Sequence, residues 1–226
     1  MRPGPRAWEL FSVAVIAAHL LGCNTAAVLA PPPPLRAASA SAFAIDLEFA
    51  EPLDKPSAQD ASHYIVYPSS GSGSPALVLQ AELIDSLYGR VVRLLLQDPL
   101  QGFLPDSAMY TIQTSGVISL AGKSTGTRTV EIRTGLNYNT PLRDLFAQHC
   151  NSCHGPATVD GLYRTDSYSA LFGPGTSPTP NLISGDPNCL LVVKTKPSNS
   201  MFRLGGLTFL DSEIIRNWVV SYTARE

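Results

Sequence analysis

Phe43, Ile45, Leu47 and Phe49 alternate with smaller or polar residues. This is the period of a strand with one buried face. Similar segments follow at His63–Tyr67, Ala76–Leu83, Arg90–Gln97, Met109–Ser115 and Thr127–Arg133, separated by clusters of Gly, Ser, Pro and Asp. Six or seven short strands in about 90 residues lead to an antiparallel sandwich over residues 42–135. Within it Asp46, Glu48, Asp54 and Asp60 are expected as solvated loop and edge groups, with a calcium site as the rival reading. No catalytic constellation falls in this region.

A different chemistry begins at Cys150-Asn151-Ser152-Cys153-His154. Cys-x-x-Cys-His is the attachment pattern of a c-type haem: two thiols add to the porphyrin vinyl groups, and the following His supplies an axial nitrogen. The rivals are weaker. A structural zinc site needs four ligands in short-spaced pairs, and only His149, Cys189 and the remote His63 are left to complete one. A thiol-redox site would sit at a strand-to-helix junction of an α/β unit, whereas Pro141–Gln148 before the pentad reads as a short helix with Pro at its start.

An electron-carrying haem iron commonly has a second protein ligand, and Met is the usual partner of His. Of Met1, Met109 and Met201, the first lies in a leader and the second in a predicted strand. Met201, 47 residues after His154, follows Lys196-Pro197-Ser198-Asn199-Ser200, read as a loop. A helix is predicted next, with Asp211 as N-cap and Ile214, Ile215, Trp218 and Val219 on one face. Phe146, Arg164, Phe202 and Trp218 are the candidate lining of the haem pocket. Cys189 precedes Leu190-Leu191-Val192-Val193 and is expected to be buried without chemistry. His149 is expected to point to solvent.

Residues 136–226 resemble a small class I type monohaem cytochrome c domain. The matching pieces are Leu145-Phe146, His149-Cys150, Cys153-His154-Gly155, Ser200-Met201 and Leu210–Ile215 leading to Trp218. The resemblance implies one covalent haem c on Cys150 and Cys153, with His154 and Met201 as axial ligands and Trp218 near the haem. Phe202 stands where that family often has Pro, a departure that bears on the Met–iron bond. Residues 42–135 resemble bacterial Ig-like modules through Phe49, Pro52-Leu53-Asp54, Tyr110, Ile112, Gly116-Val117 and Ala121-Gly122. The resulting expectation is two domains, an all-β Ig-like sandwich followed by an all-α cytochrome c fold.

Arg2 and Arg6 precede a mostly apolar run from Leu10 to Leu21, which reads as a signal peptide over residues 1–22. Twelve helical residues span roughly 18 Å, short of a hydrocarbon core of about 30 Å. Leu20-Leu21-Gly22-Cys23 resembles the bacterial lipobox, which implies an acylated Cys23 and a membrane anchor. Residues 23–41, with Pro31–Pro34, read as an Ala/Ser/Pro-rich linker. Charged residues are only 15% and the formal net charge is −2, so no basic footprint for nucleic acid is present. The function that follows is one-electron transfer by a lipid-anchored extracytoplasmic protein, with redox proteins as partners and neither enzyme activity nor a small-molecule substrate. Two alternatives stand beside it: a haem-based gas sensor, and a surface binding protein in which the Ig-like region is the working part.

Overall fold

The computed structural model describes residues 35–70, 73–98, 100 and 102–226. The signal peptide, the lipidation site Cys23 and most of the predicted linker lie outside them. Strands β1 (Arg36–Ser41), β2 (Ala44–Glu48), β3 (Tyr64–Pro68), β4 (Leu77–Leu83), β5 (Val91–Gln97), β6 (Met109–Thr114) and β7 (Arg128–Arg133) form two sheets, with the four-residue helix α1 (Lys55–Ala58) between β2 and β3. One sheet has the order β1-β2-β5-β4 and the other β3-β6-β7, and all pairings are antiparallel. The inner faces meet through Ile45 and Leu47 of β2, Val92, Leu94 and Leu96 of β5, Val66 of β3 and Ile112 of β6, all buried.

Five helices follow: α2 (Leu142–His149), α3 (Asn151–His154), α4 (Leu190–Thr195), α5 (Ser200–Leu204) and α6 (Phe209–Val220). Thr208 starts α6 through a capping box, its hydroxyl accepting from the Asp211 N–H while the Asp211 carboxylate accepts from the Thr208 N–H. Asp211 is therefore the third residue of this helix and not its N-cap.

The helices do not form a domain of their own. Their core of Leu142, Phe146, Ile214, Ile215 and Trp218 takes in Ala38 of β1 and Val91 of β5. Because successive strand side chains point to opposite faces, β5 sends Val92, Leu94 and Leu96 into the sandwich while Val91 faces the helices. The four-stranded sheet is thus covered on both sides, and the described residues make one compact unit. This corrects the expected all-β Ig-like sandwich followed by an all-α cytochrome c fold. It also corrects β2 as a half-buried strand: Ala44, Ile45, Asp46 and Leu47 are all buried.

Double coverage puts charge inside. Asp46 is fully buried and accepts two hydrogen bonds from its cross-strand neighbour Arg93, both 2.7 Å, and one of 3.3 Å from Asn217 of α6. Arg93 reaches on to Glu213 at 3.0 Å. Next to this group, Arg36 joins Glu48 at 2.8 Å and Asp211 at 2.6 Å. Asp46 is therefore no solvated edge group. Burial raises its carboxyl above the ordinary value, opposed by the hydrogen bonds and charge of Arg93.

The segment 36–41, predicted as linker, is strand β1. Ala37, Ala38, Ser39 and Ala40 give no alternation to read, but their small side chains let α6 lie close to the sheet, with Ala38 and Ala40 buried. Phe43, the first residue of the alternating run, is exposed in the turn between β1 and β2. No described helix is long and apolar enough to cross a membrane.

Candidate functional site: the Cys150–His154 turn

Helix α2 ends at His149, Cys150 caps it, and α3 carries the rest of the pentad. Its two short turns place Cys150 half-buried against the helical core and Cys153 exposed, both as free thiols. The chain must then turn sharply: a Cβ at Gly155 would collide with the Asn151 carbonyl, so only glycine fits. Residues 163–165 pin the turn from the other side. The Thr165 N–H donates to the His154 carbonyl at 2.8 Å, and the Thr165 hydroxyl donates to Asn151 Oδ1 at 2.8 Å.

The imidazole of His154 is oriented by the same segment. Its Nδ1 lies 3.2 Å from the Tyr163 carbonyl, and the Tyr163 ring stands edge-on at 5.8 Å between centroids. A carbonyl only accepts, so Nδ1 carries a proton, and in the neutral ring the lone pair is then on Nε2. Metal-bound histidines are oriented in this way by their second nitrogen.

The thiols have a definite chemical character. Burial, and then the neighbouring Cys153, push the Cys150 thiol up to about 12. A disulfide-exchange site needs a thiol lowered toward neutrality, and Cys150 is shifted the other way. Cys189 is buried in the helical core. Among the described residues no group of three or more His, Cys, Asp or Glu could hold a metal ion.

Exposed apolar side chains flank the pentad. Val159 forms a bridge with His154, and the Leu162 N–H donates to the Val159 carbonyl at 3.1 Å. On the other flank the His149 ring meets the Gly205 carbonyl, directly after Leu204. Val159 is 38%, Leu162 73%, Met201 37% and Leu204 79% exposed.

The other candidates are divided. Phe146 and Trp218 are fully buried with ring centroids 6.3 Å apart, Phe202 joins the same cluster, and Cys150 packs against it. They support the pentad from the core side. Arg164 is exposed and donates twice to Asp166, at 2.8 and 2.6 Å. Met201 sits in helix α5 and not in a loop. His149, expected in solvent, is largely buried, with Nδ1 2.7 Å from the Gly205 carbonyl and Nε2 3.9 Å from Asp211 Oδ2. A His directly before the first Cys of the pentad, with a Gly-Gly pair at 205–206 after the Met201 segment, was the available signal.

No family model matches the chain, and no curated protein does. Among solved structures the chain is similar to parts of a bacterial surface-layer protein. These are a crystal structure of the S-layer protein rSbsC(31-844), with TM-score 0.39 and 22% identity over 44% of this chain and 13% of that one; surface layer protein SbsC, domains 1-6, with 0.37 and 23% over 42% and 12%; and the N-terminal part of the bacterial S-layer protein SbsC, with 0.39 and 23% over 46% and 23%. The chain spans less than a quarter of the length of each, and likeness at this level carries no functional argument.

The resemblance to a class I cytochrome c domain and to an Ig-like module is corrected on these findings. No family model supports either, and the helices share their core with a β-sheet. The labels that membership would have conferred, cytochrome c and metal-binding protein among them, fall with it. What remains is the donor set of the pentad itself.

Proposed function

We propose that Cys150 and Cys153 hold one haem through thioether bonds, that His154 supplies an axial nitrogen, and that the chain is an extracytoplasmic one-electron carrier. The observation that carries this is the donor set: two unlinked thiols three residues apart, beside an imidazole whose Nδ1 is held on the Tyr163 carbonyl while Nε2 stays open. The reading rests on that chemistry and not on family membership. Val159 and Leu162 on one flank of the pentad, and Met201 and Leu204 on the other, are exposed and would lie against the porphyrin. Bound there, the haem would supply an iron that changes oxidation state by one electron.

Met201 would supply the iron with a second protein ligand, its thioether sulfur. The remaining residues fix and shield: Thr165 and Tyr163 hold the turn, and Phe146 and Trp218 close its core side. The proposed partner is another redox protein. Acylation of Cys23 would keep the carrier on a membrane, so Cys23→Ser should move it to the soluble fraction.

The test is absorption spectroscopy of the full chain produced with a haem-attachment pathway in a bacterial periplasm. Haem should survive denaturation and be lost from Cys150→Ser/Cys153→Ser. Sharp α and β bands when reduced, a far-red sulfur-to-iron band when oxidised, and no carbon monoxide shift are expected. A rapid carbon monoxide shift would favour the gas-sensor alternative, and no covalent haem at all would end the proposal.

A second reading, a surface binding protein working through its sheets, is favoured by β4. It is an edge strand, and Leu77 and Leu79 on it are exposed; such edges accept an added strand. Leu77→Lys/Leu79→Lys should abolish adhesion to bacterial surfaces if this reading holds and leave it unchanged if it does not.

A further inference from the structure

We infer that His149 is a positioning residue that clamps α5, and with it Met201, onto the pentad helix. This rests on the proposed haem site and deepens it. The His149 imidazole bridges two elements remote in sequence. Its Nδ1 donates to the Gly205 carbonyl at 2.7 Å, one turn past Met201, where the Gly205 N–H in turn donates to the Met201 carbonyl at 3.0 Å. The backbones also close up at this point: a Cβ at Gly205 would lie 3.0 Å from the His149 carbonyl and 3.1 Å from that of Met201. Glycine at 205 therefore allows an approach that any larger residue would crowd.

The other face of the ring is also occupied. His149 Nε2 lies 3.9 Å from Asp211 Oδ2, while that oxygen accepts from the Thr208 N–H and the second carboxylate oxygen is held by Arg36 at 2.6 Å. The ring thus stands between α5 and the fixed start of α6, directly before Cys150. Five residues of helix cannot hold their own position in water. The reach of Met201 toward an iron on His154 is set by what anchors α5: Phe202 packs it into the core, and His149 is the side chain that hydrogen-bonds its end to the pentad helix.

Two variants separate this role from simple packing: His149→Leu, which keeps bulk and loses the donor, and His149→Asn, whose amide can replace Nδ1–H. In the full-length haem-free chain carrying Cys150→Ser/Cys153→Ser, His149→Leu should speed amide exchange at Gly205, Gly206 and Leu207 about fivefold, the effect of losing one hydrogen bond. His149→Asn should restore it. In the haem-loaded chain His149→Leu should keep its covalent haem but lose the far-red sulfur-to-iron band and bind carbon monoxide when reduced, with both properties restored by His149→Asn. Unchanged exchange, or a far-red band that survives His149→Leu, overturns the inference. A parent chain without covalent haem overturns the reading of the pentad instead, and the role assigned to Met201 with it.

Discussion

Arg225, next to the end of the chain, ties three segments together with one guanidinium. Its Nε donates to the Leu136 carbonyl at 2.9 Å, its Nη1 to Asp106 at 2.6 Å, and its plane lies 4.9 Å from the Tyr222 ring. Its carbonyl accepts from the Trp218 indole at 2.8 Å. The hydrogen bond from Arg225 holds the Asp106 carboxyl below its ordinary value, with the charge adding to it against slight burial. A carboxylate whose folded value is lowered contributes stability above its unfolded value of about 3.9, and that contribution disappears as pH falls through the folded one. The difference in unfolding free energy between the parent and Asp106→Asn should therefore be constant near neutrality and vanish in acid. It should stay below about 1 kcal/mol, since the pair is largely exposed. A difference independent of pH in urea titrations would show that the pair carries no linked charge.

At the level of elements, the join between sheet and helices is decided by β2, β5 and α6. Arg93→Ala would leave Asp46 charged and enclosed with only the Asn217 amide for company, and should cost about 3–5 kcal/mol by urea denaturation. Substituting the exposed Leu79 to Ala on β4 should change stability by under about 0.5 kcal/mol. The six alternating segments were legible because side-chain burial on the sandwich side imposes a period of two, and each lies within about two residues of an observed strand. Strand β1 was not legible: Ala and Ser carry little strand preference, and what holds them is pairing with β2 and the cover of α6. The start of α6 was misread because Asp211 and Thr208 are both good caps, and only the reciprocal hydrogen bonds distinguish them. At the pentad, residue types alone nominated Cys150, Cys153 and His154 as the proposed donors. The carbonyl that orients His154 and the clamp made by His149 depend on backbone positions that no side-chain pattern encodes.

Over the whole molecule the same buried charges make separate domains untenable. Sequence reading divided the chain at 135/136 because strand periodicity stops there, yet periodicity reports local geometry and says nothing about what covers the second face of a sheet. The described residues should consequently unfold as one cooperative body. Loss of Trp218 fluorescence and loss of the β-sheet circular dichroism signal should coincide in denaturant. Two resolved transitions would mean that the helical core survives without the sheet. The link between sheet and helices is also a link between distant parts of the chain. Arg36 bonds Asp211 across 175 residues, and Ser39 bonds Tyr222 across 183. Contacts of such separation require nearly the entire chain to be present before they form, and they slow folding. As the polypeptide is made from its amino end, β1 waits with one face bare until the final turns of α6 emerge, about 180 residues later.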